Sequence, residues 1–324
     1  MISRKTPNSD GLHCHLEDLS VEPYLSLVDY RNNYFTSDDP DKIIEFYNGF
    51  NTRRELLSWM EERPKGVPII HEVEGDKEIV VVIPTADFNG KYARECRENV
   101  FKGLQIVFIS SSGKRDFYFN FANYVNVGIR RAMEYSPKWI IYSGDDRYKI
   151  DEISKLKSSL SEIDYNLCDV VFTKPAKYHS RPYAVVKTNF LYKIFRYFFQ
   201  FPYGREFLKI EKKYNIRYIY AKRNFIYRLA FGDGYDVLMT QSFGIFSSNM
   251  IRKLSSKLFD EMYINESEDA DLSMRLSLDF RKVSFIDYRI GDFVGVTLGN
   301  GLPRKLRSLA SRSYFELKWK KLLK

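Results

Sequence analysis

Two groups of acids are the residues of this 324-residue chain whose types and spacing suggest chemistry. The first is Asp145-Asp146, which follows an apolar run at 139–142 and the pair Ser143-Gly144. Carboxylates are hard oxygen ligands suited to Mg2+ or Mn2+. A divalent ion held there would bridge diphosphate oxygens and neutralise a leaving group. The competing reading is a polar loop in which Asp146 caps the next helix. The second group is Ser267-Glu268-Asp269-Ala270-Asp271, followed by Arg275. Ser267 has the chemistry of an N-cap, and acids in a first turn are favoured by the helix dipole. Asp271 and Arg275 stand at i,i+4 and can pair on one face. Asp269 and Asp271 are two apart, so on a helix they point in nearly opposite directions. One can face a site while the other serves structure, and a site carboxylate would accept a proton from an attacking hydroxyl. An ordinary acidic helix start is the alternative.

The elements that must position these acids begin at residue 78. The run 78–84, Glu-Ile-Val-Val-Val-Ile-Pro, reads as a buried strand closed by proline. A helix is expected over 92–101, a second strand over 104–109, and a helix over 121–133 whose apolar residues keep helical spacing. A third strand at 139–142, a helix at 150–160 and a fourth strand at 169–172 follow. Further elements are expected at 237–243 (strand), 249–259 and 268–278 (helices), and 283–286 (strand). Such alternation implies an α/β fold with a mainly parallel sheet flanked by helices, whose ligands bind beyond the carboxyl ends of the strands. Residues 1–77 read as a partly helical N-terminal extension, with helices near 41–50 and 52–62. His13, Cys14 and His15 lie in it, but that cluster reads as a solvated tail rather than a metal site.

Composition narrows the classes. Aromatics make up 16% of the chain, which excludes disorder as its main state. Cys14, Cys96 and Cys168 are too few for a disulfide scaffold and fit a reducing compartment. No apolar run is long enough for a membrane span, and the first residues do not resemble a signal peptide. The net charge of +9 is concentrated in two segments, 187–228 and 302–324, leaving the rest of the chain acidic. Both segments also carry many large apolar residues. A basic aromatic insertion and a basic amphipathic C-terminal tail suggest an anionic membrane surface as partner. The other reading is helices packed on the core with a solvated basic face. Nucleic acid is disfavoured, since no nucleic-acid motif accompanies the charge.

Taken together, the acidic groups and their order resemble family 2 glycosyltransferases with the GT-A fold, over roughly 78–300. The strand 79–84 with Thr85 looks like the family's opening strand and proline turn. Asn126-Val127-Gly128 resembles its Asn-x-Gly, 139–146 its strand into a DxD-like motif, and 241–246 the segment before the acceptor site. The run from Glu268-Asp269 through Asp271-Leu272 to Arg275-Leu276 resembles its ED-x-DL-x-x-R-L signature. The resemblance implies a GT-A domain over 78–301 and an inverting transferase. Such an enzyme moves a sugar from a nucleotide-diphospho-sugar to a glycan or lipid-linked acceptor, and the two basic segments would place it on the cytoplasmic face of a membrane. It implies that Pro84, Thr85, Asp87, Ser111, Asn126 and Asp145 lie along the nucleotide-sugar. It also implies that Asp145 and Asp146 hold Mn2+ or Mg2+, and that Asp269 is the general base.

The chain departs from the family pattern in two places. Ser110-Ser111-Ser112 stands where the family's second strand usually ends in an Asp, and the stretch 287–292 lacks the late His ligand, with Asp292 as a substitute. A catalytically inactive nucleotide- or glycan-binding relative is therefore the alternative. A nucleotidyltransferase is disfavoured because 84–90 is not a basic, glycine-rich phosphate loop.

Overall fold

The computed structural model describes residues 30–111, 118–173, 182–222, 235–238, 243–279, 282–293 and 301–323. Residues 1–29, with His13, Cys14 and His15, lie outside this set, as do parts of the 187–228 and 237–246 segments.

Seven strands form the central sheet, in the order β1-β3-β2-β4-β10-β6-β11. They are β1 Ile69–Val73, β2 Asp76–Thr85, β3 Leu104–Ser110, β4 Trp139–Ser143, β6 Val170–Thr173, β10 Phe243–Ser247 and β11 Val283–Ile286. β3, β4, β6 and β10 are buried along their whole length, so each reads as a continuous apolar run rather than an alternating one. β2 pairs in parallel with β3 and β4, and β6 in parallel with β11. β10 runs against both β4 and β6, and β1 runs against β3. The sheet is thus mostly parallel but mixed. A buried run does not encode its direction, which is why the reversal of β10 is absent from the sequence reading.

Helices cover both faces. On one side lie α3 (Lys91–Glu95), which continues as a π-helical turn over Cys96–Val100, and α5 (Ile153–Ser161). On the other lie α4 (Phe121–Met133), α8 (Ser248–Lys253) and α9 (Glu268–Asp279). α4 approaches the sheet closely through Gly128, where a Cβ would sit 2.4 Å from Val82 Cγ1. Gly128→Ala is expected to overpack this contact and cost about 1–3 kcal/mol, read as a lower denaturation midpoint.

The N-terminal segment is not a separate appendage. α1 (Pro40–Asn48) and α2 (Arg53–Glu62) share an apolar core with α7 (Gly204–Lys213) and α10 (Leu302–Trp319). Asp39 and Thr52 cap α1 and α2 with their side chains, as their residue types dictate. β1, also within 1–77, belongs to the central sheet. The Tyr47 hydroxyl donates to Leu306 O at 2.8 Å, tying α1 to α10.

α10 therefore corrects the reading of 302–324 as a surface-seeking tail. Leu306, Leu309, Ala310, Phe315 and Leu323 are buried within the protein, and Lys305, Lys320 and Lys321 lie on the solvated side. The remaining elements are a two-stranded ladder of β5 (Arg147–Lys149) with β12 (Ile290–Asp292), and a three-stranded antiparallel sheet. That sheet has the order β8-β7-β9, from β7 (Pro182–Lys187), β8 (Tyr218–Lys222) and β9 (Tyr235–Leu238). Between β7 and β8 come α6 (Phe190–Phe199) and α7. No helix among the described residues is long and apolar enough to cross a membrane.

Candidate active site

The carboxyl ends of β2, β3 and β4 bring the first set of expected residues together. Pro84 and Thr85 end β2, both buried, and Thr85 stands in register with Ser110 on β3. Thr85 Oγ1 donates to Asp145 Oδ2 at 2.7 Å across 60 residues of chain. The Asp87 N–H donates back to Thr85 Oγ1 at 3.3 Å, and Asp87 Oδ1 accepts from Asn89 N–H at 3.0 Å. Asp87 thereby shapes the turn that follows β2, with its side chain exposed. Ser111 follows β3 at the same edge.

Asp145 is buried, and burial pushes its carboxyl above the usual range, with the Thr85 bond opposing and the charge of Asp146 adding. Asp146 is also raised by burial, with Arg147 opposing and Asp292 adding. Asp146 does not cap the next helix. The chain instead enters β5, and Glu152 occupies the cap of α5. Gly144 permits this arrangement, because a Cβ there would lie 2.7 Å from Asp146 Oδ1.

Arg147 was not singled out by the sequence reading. It is fully buried and pairs with Asp292 Oδ2 at 3.1 Å, in the register of the β5–β12 ladder. Asp292, expected as a substitute metal ligand, is thus engaged by a cation. Three carboxylates around one guanidinium leave a local negative excess. That excess and the all-oxygen donors suit a divalent cation that keeps water and substrate oxygens in its shell. Asp145 and Asp146 are the carboxylates that would hold such an ion. Among the described residues no group of three or more His, Cys, Asp or Glu is placed to hold a metal ion.

The second acidic group opens α9. Asp269 is partly accessible, and its Oδ1 accepts from the Ala270 N–H at 2.8 Å. Burial pushes its carboxyl up to about 7, with the charge of Glu266 adding and the Ala270 bond opposing. Glu268 beside it is buried and raised well above the ordinary carboxylate range by burial and by the charge of Asp269. Ser267 starts the helix with its backbone, Ser267 O accepting from Asp271 N–H at 2.9 Å. Its buried hydroxyl has no hydrogen-bond partner among the described residues, so the expected side-chain cap is not formed.

Asp271 faces the other way, as the two-residue spacing requires. It is fully buried and accepts from Tyr263 Oη at 3.1 Å, Arg275 Nε at 3.0 Å, Lys318 Nζ at 3.0 Å and Trp319 Nε1 at 3.0 Å. These bonds pin α9 to α10, so Asp271 holds the helix that presents Asp269.

The Tyr142 hydroxyl, near the end of β4, feels charge from both acidic groups. Burial raises the Tyr142 hydroxyl well above its usual value, and the charges of Asp269, Glu268 and Asp146 all add to the effect. Residues more than 100 positions apart therefore act on one phenol, which sits on the strand leading into Asp145-Asp146.

Asn126 does not join them. Its Nδ2 donates to Phe259 O at 2.8 Å and to Glu261 Oε1 at 3.0 Å, and its Oδ1 accepts from Phe259 N–H at 3.0 Å. Its amide clamps the 259–261 turn inside the protein instead of facing a ligand. The sequence reading also passed over a stacked pair beside the ends of β2 and β3. The His71 and Phe88 rings lie 4.3 Å apart at 4°, and His71 Nε2 is 2.8 Å from Ser110 Oγ. Neither residue belongs to a recognisable motif, so only the pairing of β1 with β3 reveals them. Comparison of the chain with protein-family models, with curated proteins and with solved structures finds no match in any of the three.

Proposed function

We propose that the chain is a metal-dependent inverting glycosyltransferase of GT-A type. It would move a sugar from a nucleotide-diphospho-sugar to a hydroxyl of a glycan or lipid-linked acceptor. The observation that carries this reading is the placement of Asp145-Asp146 at the carboxyl end of β4, with Thr85 of β2 bonded to Asp145, while the start of α9 presents a partly accessible Asp269 pushed up to about 7. A general base works best with a pKa near the operating pH, and Asp269 has that property. Asp145 and Asp146 would hold Mg2+ or Mn2+, which when bound offsets charge on the departing diphosphate. Thr85 orients the Asp145 carboxylate from below. Burial raises the Asp146 carboxyl, and Arg147 opposes that rise. Asp269 takes the proton of the acceptor hydroxyl as that oxygen attacks the anomeric carbon. Direct displacement needs no covalent enzyme intermediate and inverts the anomeric configuration.

The test is nucleotide release from a panel of UDP-, GDP- and dTDP-sugars with Mn2+ or Mg2+. Wild type is compared with Asp146→Asn and Asp269→Asn, and melting shifts with free nucleotide report binding. Metal-dependent release from one donor, lost in both variants, supports the reading. Binding without release, even with glycan and lipid-extract acceptors supplied, favours the inactive relative. Neither binding nor release by a folded protein refutes both.

A subtler variant isolates the metal step. Gly144→Ala is expected to displace the Asp146 carboxylate and weaken Mn2+ affinity by about tenfold or more. The metal-free melting temperature should stay near that of wild type, because the clash falls on a movable side-chain end. Mn2+ titration followed by melting, at fixed nucleotide, measures both.

A further inference from the structure

We propose that α6 and the residue just beyond its turn form a docking surface for an anionic lipid bilayer. The inference does not rest on the transferase reading. α6 turns the usual surface helix inside out. Its polar groups face inward: Tyr192 Oη donates to Glu211 Oε1 at 2.9 Å, and the Arg196 guanidinium lies 3.5 Å from Glu211 and 4.3 Å above the Phe207 ring. Its apolar side faces solvent. Phe190, Phe198 and Phe199 are 74%, 69% and 76% exposed, Phe201 is 78% exposed, and Phe195 lies between them. Adjacent large aromatics left in water on one continuous helix face mark an interaction surface.

The charge around this face selects the occupant. Lys193 on α6 itself, and Lys187, Arg205 and Lys212 in the segments before and after it, are exposed. The acids of the same stretch are already paired: Glu211 is buried and also bound by Arg312 Nη1 at 3.0 Å, and Glu206 holds Lys209 at 2.6 Å. A second copy of the chain would bring two positive rims together. An anionic lipid surface offers negative head groups to the lysines and a hydrocarbon boundary to the phenylalanines. The ten-residue helix is about 15 Å long, enough to lie in the interface and too short to cross it. α10, the other basic segment, has spent its apolar face inside the protein and takes no part in the docking.

The test is flotation of the full chain with vesicles of phosphatidylcholine alone and with about 30 mol% phosphatidylglycerol added. Wild type should bind the anionic vesicles at least about tenfold more tightly than the neutral ones, and less tightly as salt rises. Phe198→Asp with Phe199→Asp should lose that binding, with melting and nucleotide release unchanged, since both rings are outside the core. Absence of wild-type binding to the anionic vesicles overturns the proposal. Undiminished binding by the double variant also overturns it. So does a concentration-dependent dimer that the double variant abolishes, in a protein that ignores vesicles. The active-site assay reads other residues, so failure of one proposal leaves the other standing.

Discussion

Asp269→Asn should cut turnover by about a thousandfold while leaving nucleotide-sugar binding intact. Removal of a positioned general base costs about 10²–10⁴ in rate, and Asn is nearly isosteric but does not accept the proton. The wild-type rate should rise with pH at unit slope and level off above about 7, where Asp269 is ionised. The variant should lose that limb. Glu268→Gln is the control: Glu268 is buried where Asp269 is partly accessible, so its amide replacement should retain activity. The same substitution at Asp269 should stabilise the fold. The carboxyl has an ordinary value of 3.8 and sits at about 7 in the folded protein. Between those values the native state binds more protons than the unfolded chain. Stability therefore falls as pH rises from about 4 to 7 and is flat above. The cost at pH 8 is on the order of 3 kcal/mol, allowing for partial exposure. Asp269→Asn removes it, so its melting temperature should exceed that of wild type at pH 8 and match it near pH 4. A loss of activity accompanied by a lower melting temperature at pH 8 would contradict this account.

Two residues further along the same helix the outcome reverses. Asp271→Ala should destabilise the protein by about 3–5 kcal/mol, because removing one partner strands buried charge. Lys318 keeps Asp260 at 2.7 Å, but the Tyr263 hydroxyl and Trp319 Nε1 lose the acceptor they share. Arg275 loses the charge that faces it at 3.0 Å. Asp271→Asn should fall between, since it preserves an acceptor without the charge. Urea midpoints of the three proteins at pH 7 give the series, and the slope should stay constant if the fold is unchanged. Specific activity per folded molecule should change far less than stability. A variant with wild-type stability and no turnover would instead move Asp271 into the site.

The contrast between these two acids was readable in advance, since helical geometry separates residues two apart. Several elements were readable too: 283–286 and the helix 121–133 match β11 and α4, and the buried runs at 78–84, 104–109 and 139–142 sit inside longer strands. Other features were hidden for identifiable reasons. Ile69–Val73 is an edge strand with exposed residues, so its pattern is too weak to see. The 249–259 helix stops at Lys253, and positive-φ Ser255 and Ser256 follow it. The core shared by α1, α2, α7 and α10 joins helices from both ends of the described chain, and no local pattern names a distant partner. That is why α10, read alone, looked like a membrane-seeking tail. At the site, acids announce themselves by type, whereas Arg147 gains its meaning only from being sealed opposite Asp292. Asn126 erred in the opposite direction: a polar residue in a suggestive motif had its amide committed to backbone.

The clasp between Tyr47 and Leu306 also sets a schedule. The two residues are 259 positions apart, so α1 and α2 leave the ribosome long before the helix that completes their core. At about 5–20 residues per second, that interval is on the order of ten to fifty seconds. Throughout it Phe46, Tyr47, Trp59 and Met60, all buried in the finished protein, lack the far side of their packing. The N-terminal helices therefore complete their packing only once α10 is made, although they are synthesised before every strand of the sheet. A nascent chain halted before α10 would present a finished sheet with an open apolar flank, a species for chaperones to hold rather than for the cell to use.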